Sequence, residues 1–183
     1  MIAQGRFGDA YIENRKSNVF PGILGRVCDR PCEPACRRGR VDEKPVAICR
    51  LKRVAADHRE DITERLPKGA ESNGKKVALI GCGCASLTVA NDLRPLGYDV
   101  TIFEALDATG GLMRTNIPRF RLPPEVLDEE INYIVDMGVD LKMNHRIDSM
   151  KELLDSGEFD AVFVGTGAPR GKNLEIPGRY DSD

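Results

Sequence analysis

The chain has 183 residues, 41% of them apolar and 31% charged, with a formal net charge of -2. These values describe a soluble globular protein and exclude a disordered or collagen-like chain; no apolar run approaches the roughly 18 residues of a membrane-spanning helix. The small net charge, 5% aromatics and absence of Trp leave no footprint for nucleic acid.

The first residues, MIAQGRFGDAYIENRK, carry charges and no apolar core, so they are not a signal peptide. The expected location is cytoplasmic and reducing, where six cysteines are read as ligands or plain thiols rather than disulfides. AYIENRK and VAICRLKRVAADHREDI are predicted helices, the second with Val46, Ile48, Leu51, Val54 and Ala55 along one side. Between them, NVFPGILGRVCDRPCEPACRRGRVDEKP is expected to be irregular because of its Pro, Gly and Cys, and to need a metal staple. Cys28, Cys32, Cys36 and Cys49 supply it, in the spacing C-x3-C-x3-C-x12-C. That spacing suits an all-thiolate iron–sulfur cluster, with zinc or free thiols as the alternatives. Residues 26 to 53 hold nine Lys and Arg against four Asp and Glu, read as a solvated loop, as charge offsetting an anionic cluster, or as a docking face for an acidic redox partner. His58 and His145 are isolated and are expected at the surface.

The stretch 67–75 has linker composition, which divides the chain into a helical segment (1–66) and an α/β domain (76–183). KKVALI is a predicted buried strand, GCGCAS a turn opening a helix through LTVANDLRPL, and DVTIFE a second strand ending in Glu104. Gly81 and Gly83 occupy the first two glycines of the dinucleotide fingerprint, where they permit the tight turn and the approach of backbone to a pyrophosphate. Ser86 stands at the third and is expected to crowd the helix–strand contact. Glu104 lies where a carboxylate accepts ribose hydroxyls. Cys82 and Cys84 are read as small residues of this turn, since a C-x-C disulfide there is strained. A helix over PPEVLDEEINYIVDMG, a strand VDLKMN, a short helix SMKELLDSG and an apolar strand FDAVFVGTG complete a parallel α/β pattern. GTGAPRG is expected to lack a following helix, because Pro169 breaks it, so only one nucleotide turn is predicted.

Several long stretches carry a family resemblance. GRVCDRPCEPACRRGRVDEKPVAICRLKRVAAD, KKVALIGCGCASL, FEALDATGGLMRTNIPRFRLPPEVLDEEI and FDAVFVGTGA resemble, in order, the iron–sulfur segment, the FAD-binding loop, the extended flavin signature and the strand closing on the dinucleotide in the glutamate synthase small (beta) subunit and its relatives. These relatives include the flavin portions of dihydropyrimidine dehydrogenase and of NADH-dependent ferredoxin:NADP oxidoreductases. The resemblance implies an N-terminal α-helical iron–sulfur segment followed by a Rossmann-like FAD-binding parallel-sheet domain that is incomplete, because relatives continue past LEIPGRYDSD into an NAD(P)H domain. It implies FAD pyrophosphate and ribose at Gly81, Gly83 and Glu104, the adenosine side at Gly110 and Gly111, and the flavin half near Arg114 and Ile117, with Thr166 and Gly167 closing over the cofactor. It implies a [4Fe-4S] cluster on Cys28, Cys32 and Cys36, with Cys49 as candidate fourth thiolate, since Leu24 stands where many relatives carry a further cysteine. The function so implied is electron transfer within an NAD(P)H-linked oxidoreductase complex with other redox subunits, the chain not being self-sufficient as a dehydrogenase. No side chain stands out as an acid–base or nucleophilic catalyst. Leu24, Ser86 and the early stop favour a rival, a non-catalytic assembly subunit with a vestigial flavin site; a zinc-stapled structural module is the second rival.

Overall fold

The computed structural model describes residues 1–168, 170–171 and 176–177. The helical segment contains α1 (Phe7–Arg15), α2 (Pro21–Val27) and α3 (Ile48–His58). Helix α2 corrects the expectation of an irregular stretch there. Pro21 fits its first turn, where the missing N–H costs nothing. Gly25 lets α2 cross α3 closely, because a Cβ there would stand 2.8 Å from Arg53 N. Residues 28–47 are turns around one 3-10 segment, Arg37–Arg40. The buried side of α3 is also rephased: Cys49, Ala55 and Ala56 face inward while Leu51 is exposed.

The α/β half runs β1 (Lys76–Ile80), α4 (Cys84–Leu93), β2 (Asp99–Phe103), α5 (Leu112–Thr115), α6 (Pro124–Val135), β3 (Asp140–Lys142), α7 (Met150–Asp155) and β4 (Ala161–Val164). All strands pair parallel in the order β3-β2-β1-β4. The KVALI run buries four of its five residues, as a central strand covered on both faces must. Helix α4 passes into a 3-10 turn at Pro95, and Gly97 closes it at φ +86°. Ser149 caps α7 by accepting from Glu152 N. Four-residue α5 has no counterpart in the sequence reading. Pro169, expected to block a further helix, lies outside the described residues.

Leu79, Ile102, Leu127 and Ile131, all 2% exposed or less, form the centre of the main core. Each such burial contributes about 1.5–3 kcal/mol before cavity effects. Phe20 and Ile23, from the helical segment, belong to the same core, so the two halves share one interior. A smaller core beneath α1 and α3 holds Tyr11, Ala55, Ala56, Ile62 and Leu66. The stretch 67–75 forms no helix or strand but lies pinned: Ala70 N donates to Arg94 O, Asn73 N to Gly97 O, and Ser72 Oγ to Asp99. Among the described residues, no helix is long and apolar enough to cross a membrane.

Candidate nucleotide turn and cysteine loop

At the C-terminal end of β1 the chain turns through Gly81, whose φ of +91° suits glycine. A Cβ there would stand 2.7 Å from Gly165 O, because the end of β4 passes directly behind the turn. Gly83 caps α4, and a Cβ on it would meet nothing within 4 Å. The space before the helix N-terminus is therefore open, and the first backbone N–H groups of α4 have no partner within the helix. This geometry accepts a phosphate. The loop after β2 braces the turn from its other side. Cys82 N donates to Glu104 Oε2 at 2.7 Å, and Gly110 N donates to Cys82 O at 2.8 Å. Gly111, at φ +50°, lies so near that its Cβ would be 3.1 Å from Gly83 Cα.

The residues picked from the sequence thus assemble around one turn, with differences in detail. Glu104 is 7% exposed, and its second oxygen accepts from Leu106 N at 2.9 Å, so both oxygens are engaged in holding the turn together. Arg114 is engaged with Asp128 and with Thr109 O. Ile117 packs partly into the main core. Thr166 and Gly167 are exposed at the rim beyond β4. Ser86 is fully buried, its Oγ has no hydrogen-bond partner, and it fills the space that Gly165 leaves empty. A buried unpaired hydroxyl of this kind costs about 1–3 kcal/mol.

The two thiols of the turn differ sharply. Cys82 is fully buried, and burial pushes its thiol up to about 11, whereas Cys84 is exposed on the first turn of α4. Iodoacetamide at about pH 8 is expected to alkylate Cys84 and spare Cys82. Peptide mass spectrometry reads this directly; label on Cys82 would mean that the turn opens.

In the cysteine loop, Cys28 caps the C-terminus of α2 and Cys49 lies buried in the first turn of α3. Cys49 Sγ lies 4.0 Å from Leu24 O. Burial and then the Cys28 neighbour push the Cys49 thiol up. Cys36 is drawn down by the backbone N–H groups of Val46 and Arg38, which favour its thiolate. Cys32 is exposed. Among the described residues, no three potential ligands converge as a metal site. The donor set nonetheless fits an iron–sulfur group in kind: four thiols within 22 residues, one already biased to thiolate, in a basic loop. His58 and His145 are exposed, each against a phenylalanine ring.

One residue escaped the sequence reading. Glu130 interrupts the buried stripe Leu127, Ile131 and Ile134 of α6, yet is itself only 2% exposed. An acid inside an apolar stripe was the available signal. Burial raises its pKa, against the pull of Tyr11 and of the backbone N–H groups of Gly22 and Ile23.

Residues 1–63 match the family model described as "Dihydroprymidine dehydrogenase domain II, 4Fe-4S cluster", and residues 79–149 match "NAD(P)-binding Rossmann-like domain". The chain is 38% identical, over 97% of its length, to the beta subunit of the NADP(+)-dependent formate dehydrogenase of Moorella thermoacetica, covering 28% of that protein. It is 35% identical, over 98% of its length, to the glutamate synthase [NADPH] small chain of Bacillus subtilis, covering 36% of it. Against the NAD-dependent dihydropyrimidine dehydrogenase subunit PreT of Salmonella typhimurium it is 37% identical over 88% of its length, covering 40%. The chain therefore spans between about a quarter and two fifths of these curated relatives. With an iron–sulfur domain followed by a Rossmann-like sheet and its glycine turn, the chain is a relative, along almost its whole length, of the glutamate synthase small chain and similar oxidoreductase subunits.

Proposed function

We propose that the chain is the electron-transfer module of an NAD(P)H-linked oxidoreductase, carrying FAD at the glycine turn and a [4Fe-4S] cluster on Cys28, Cys32, Cys36 and Cys49. The observation that carries this reading is the braced, open turn at Gly81 to Ser86, sharing one core with the root of the cysteine loop. FAD supplies the exchange between paired and single electrons, chemistry that no side chain of this protein performs. In this reading Gly81 and Gly83 admit the pyrophosphate and Glu104 accepts from the ribose. Gly110 and Gly111 run along the adenosine, Arg114 and Ile117 face the flavin half, and Thr166 and Gly167 close the rim. The burial of Cys49 beside Leu24 O, near enough to Cys28 for that thiol to influence its ionisation, supports Cys49 as the fourth thiolate. The segment boundary falls in 67–75. NAD(P)H is handled outside these residues, electrons pass onward to partner redox subunits, and the thiols imply a reducing cytoplasmic compartment.

Fluorescence titration of the flavin-free protein tests the nucleotide assignment. FAD should bind saturably, and NADPH should not displace it. Glu104→Ala removes a charge-assisted hydrogen bond worth on the order of 1.5–3 kcal/mol, so FAD affinity should fall about 10- to 150-fold. Displacement of FAD by NADPH would assign the turn to the nicotinamide nucleotide. Failure of the wild type to bind FAD would favour a partner-binding subunit with a vestigial site.

A further inference from the structure

Helix α6 touches both halves of the chain. Toward the nucleotide turn, Leu127 and Ile131 close on Gly110, where a Cβ would stand 3.2 and 3.3 Å from their methyl groups. Asp128, on the same helix, pairs with Arg114. Toward the helical segment, the buried carboxylate of Glu130 accepts three hydrogen bonds: from Tyr11 Oη at 2.6 Å, Gly22 N at 2.7 Å and Ile23 N at 3.0 Å. Gly22 and Ile23 lie in the first turn of α2, whose other end is capped by Cys28. The loop before α6 holds that other end, with Arg121 donating to Arg26 O at 3.2 Å and to Val27 O at 3.4 Å. The short helix rooting the cysteine loop is thus gripped at both ends, by α6 and by the loop that leads into it.

An apolar side chain at position 130 would continue the stripe of α6 and avoid desolvating a charge. It would also leave two first-turn N–H groups of α2 buried without partners, and α2 free to slide along α6. Directional bonds to a fixed carboxylate remove that freedom. The fit is tight, since a Cβ on Gly22 would lie 3.0 Å from Glu130 Oε1. Arg59 stacks 4.3 Å from the Tyr11 ring centroid and pairs with neighbouring Glu129, holding the same junction from α3.

We propose that Glu130 is a positioning residue that fixes α2, and through it Cys28 and the cysteine loop, in place against the nucleotide turn. It acts on the cluster through backbone placement, and this role rests on the cluster reading given above.

Hydrogen–deuterium exchange on the full chain, purified anaerobically with its cofactors, tests the grip directly. In Glu130→Ala, amides of residues 22–28 should lose at least about tenfold in protection while those of β1 and α4 keep theirs. Iron per chain should fall while FAD affinity stays within about twofold. Glu130→Gln retains an acceptor oxygen for the α2 amides and should recover most of both losses. Tyr11→Phe removes only one of the three bonds and should give a smaller effect confined to the same amides, which keeps the test usable if Glu130→Ala does not fold. Unchanged protection over 22–28 in Glu130→Ala would overturn the proposal. So would loss spread evenly through β1 and α4, or full iron retention despite lost protection. A wild type that carries no iron defeats the cluster reading and with it the role toward the cluster, while the exchange pattern still decides whether Glu130 holds α2.

Discussion

Gly81→Ala should weaken nucleotide binding strongly and lower thermal stability. Its φ of +91° costs a side chain on the order of 1–3 kcal/mol. The added Cβ would also press on Gly165 O, a backbone atom at the end of a paired strand that has nowhere to move. Together these should lower the melting temperature by roughly 5–10 °C and weaken FAD by more than about tenfold. Gly165→Ala should act similarly, since its Cβ would collide with Ser86 Oγ. Ser86 and Gly165 are complementary, the hydroxymethyl group filling the space of the missing side chain. Ser86→Gly should itself lower stability modestly, since it empties that space and a glycine in the first turn of α4 costs up to about 1 kcal/mol. Combined with Gly165→Ala it should restore stability, with a coupling of about 0.5–3 kcal/mol. Calorimetry and FAD titration of both single variants and the double variant measure this; strict additivity would mean that Ser86 and Gly165 do not constrain each other.

Loss of any cluster thiolate should have the other large effect. Cys28→Ala, Cys32→Ala and Cys36→Ala should each remove most of the bound iron and sulfide, because an all-thiolate cluster has no substitute donor in this loop. Cys49→Ala is the sharpest of the series. Its thiol is buried and is a neighbour of Cys28, so it should lose iron as severely as the others. Full retention in that variant would place the fourth ligand elsewhere, such as on a partner chain. Since Cys32 and Cys36 stand apart from this pair, cluster formation should draw residues 28–36 inward and slow their proteolysis.

The nucleotide turn was readable because its signals are local. A strand, two glycines, a helix and a terminal acid fall within about 30 residues, each tied to a short-range requirement. Helix α2 was not readable. Its glycines look like loop residues until the crossing with α3 is known, and then Gly25 is required by the backbone of Arg53. The apolar side of α3 was misphased for a related reason: Leu51 repeats at helical spacing but points outward, while alanines and Cys49 make the close contacts. Ser86 was recognised as a departure, but its compensation by Gly165 lies on another strand. Glu130 carries its meaning through partners 107 to 119 residues earlier, a separation beyond any local pattern.

The most direct measurement is the absorption spectrum of the anaerobically purified protein, with iron, acid-labile sulfide and flavin assayed on the same sample. A flavin band should appear superimposed on the broad absorption of a thiolate-ligated cluster, with iron and sulfide in the equal proportion of a 4Fe-4S centre and bleaching of both by dithionite. A colourless protein binding zinc, or one that takes up neither iron nor FAD on reconstitution, would contradict the proposed function.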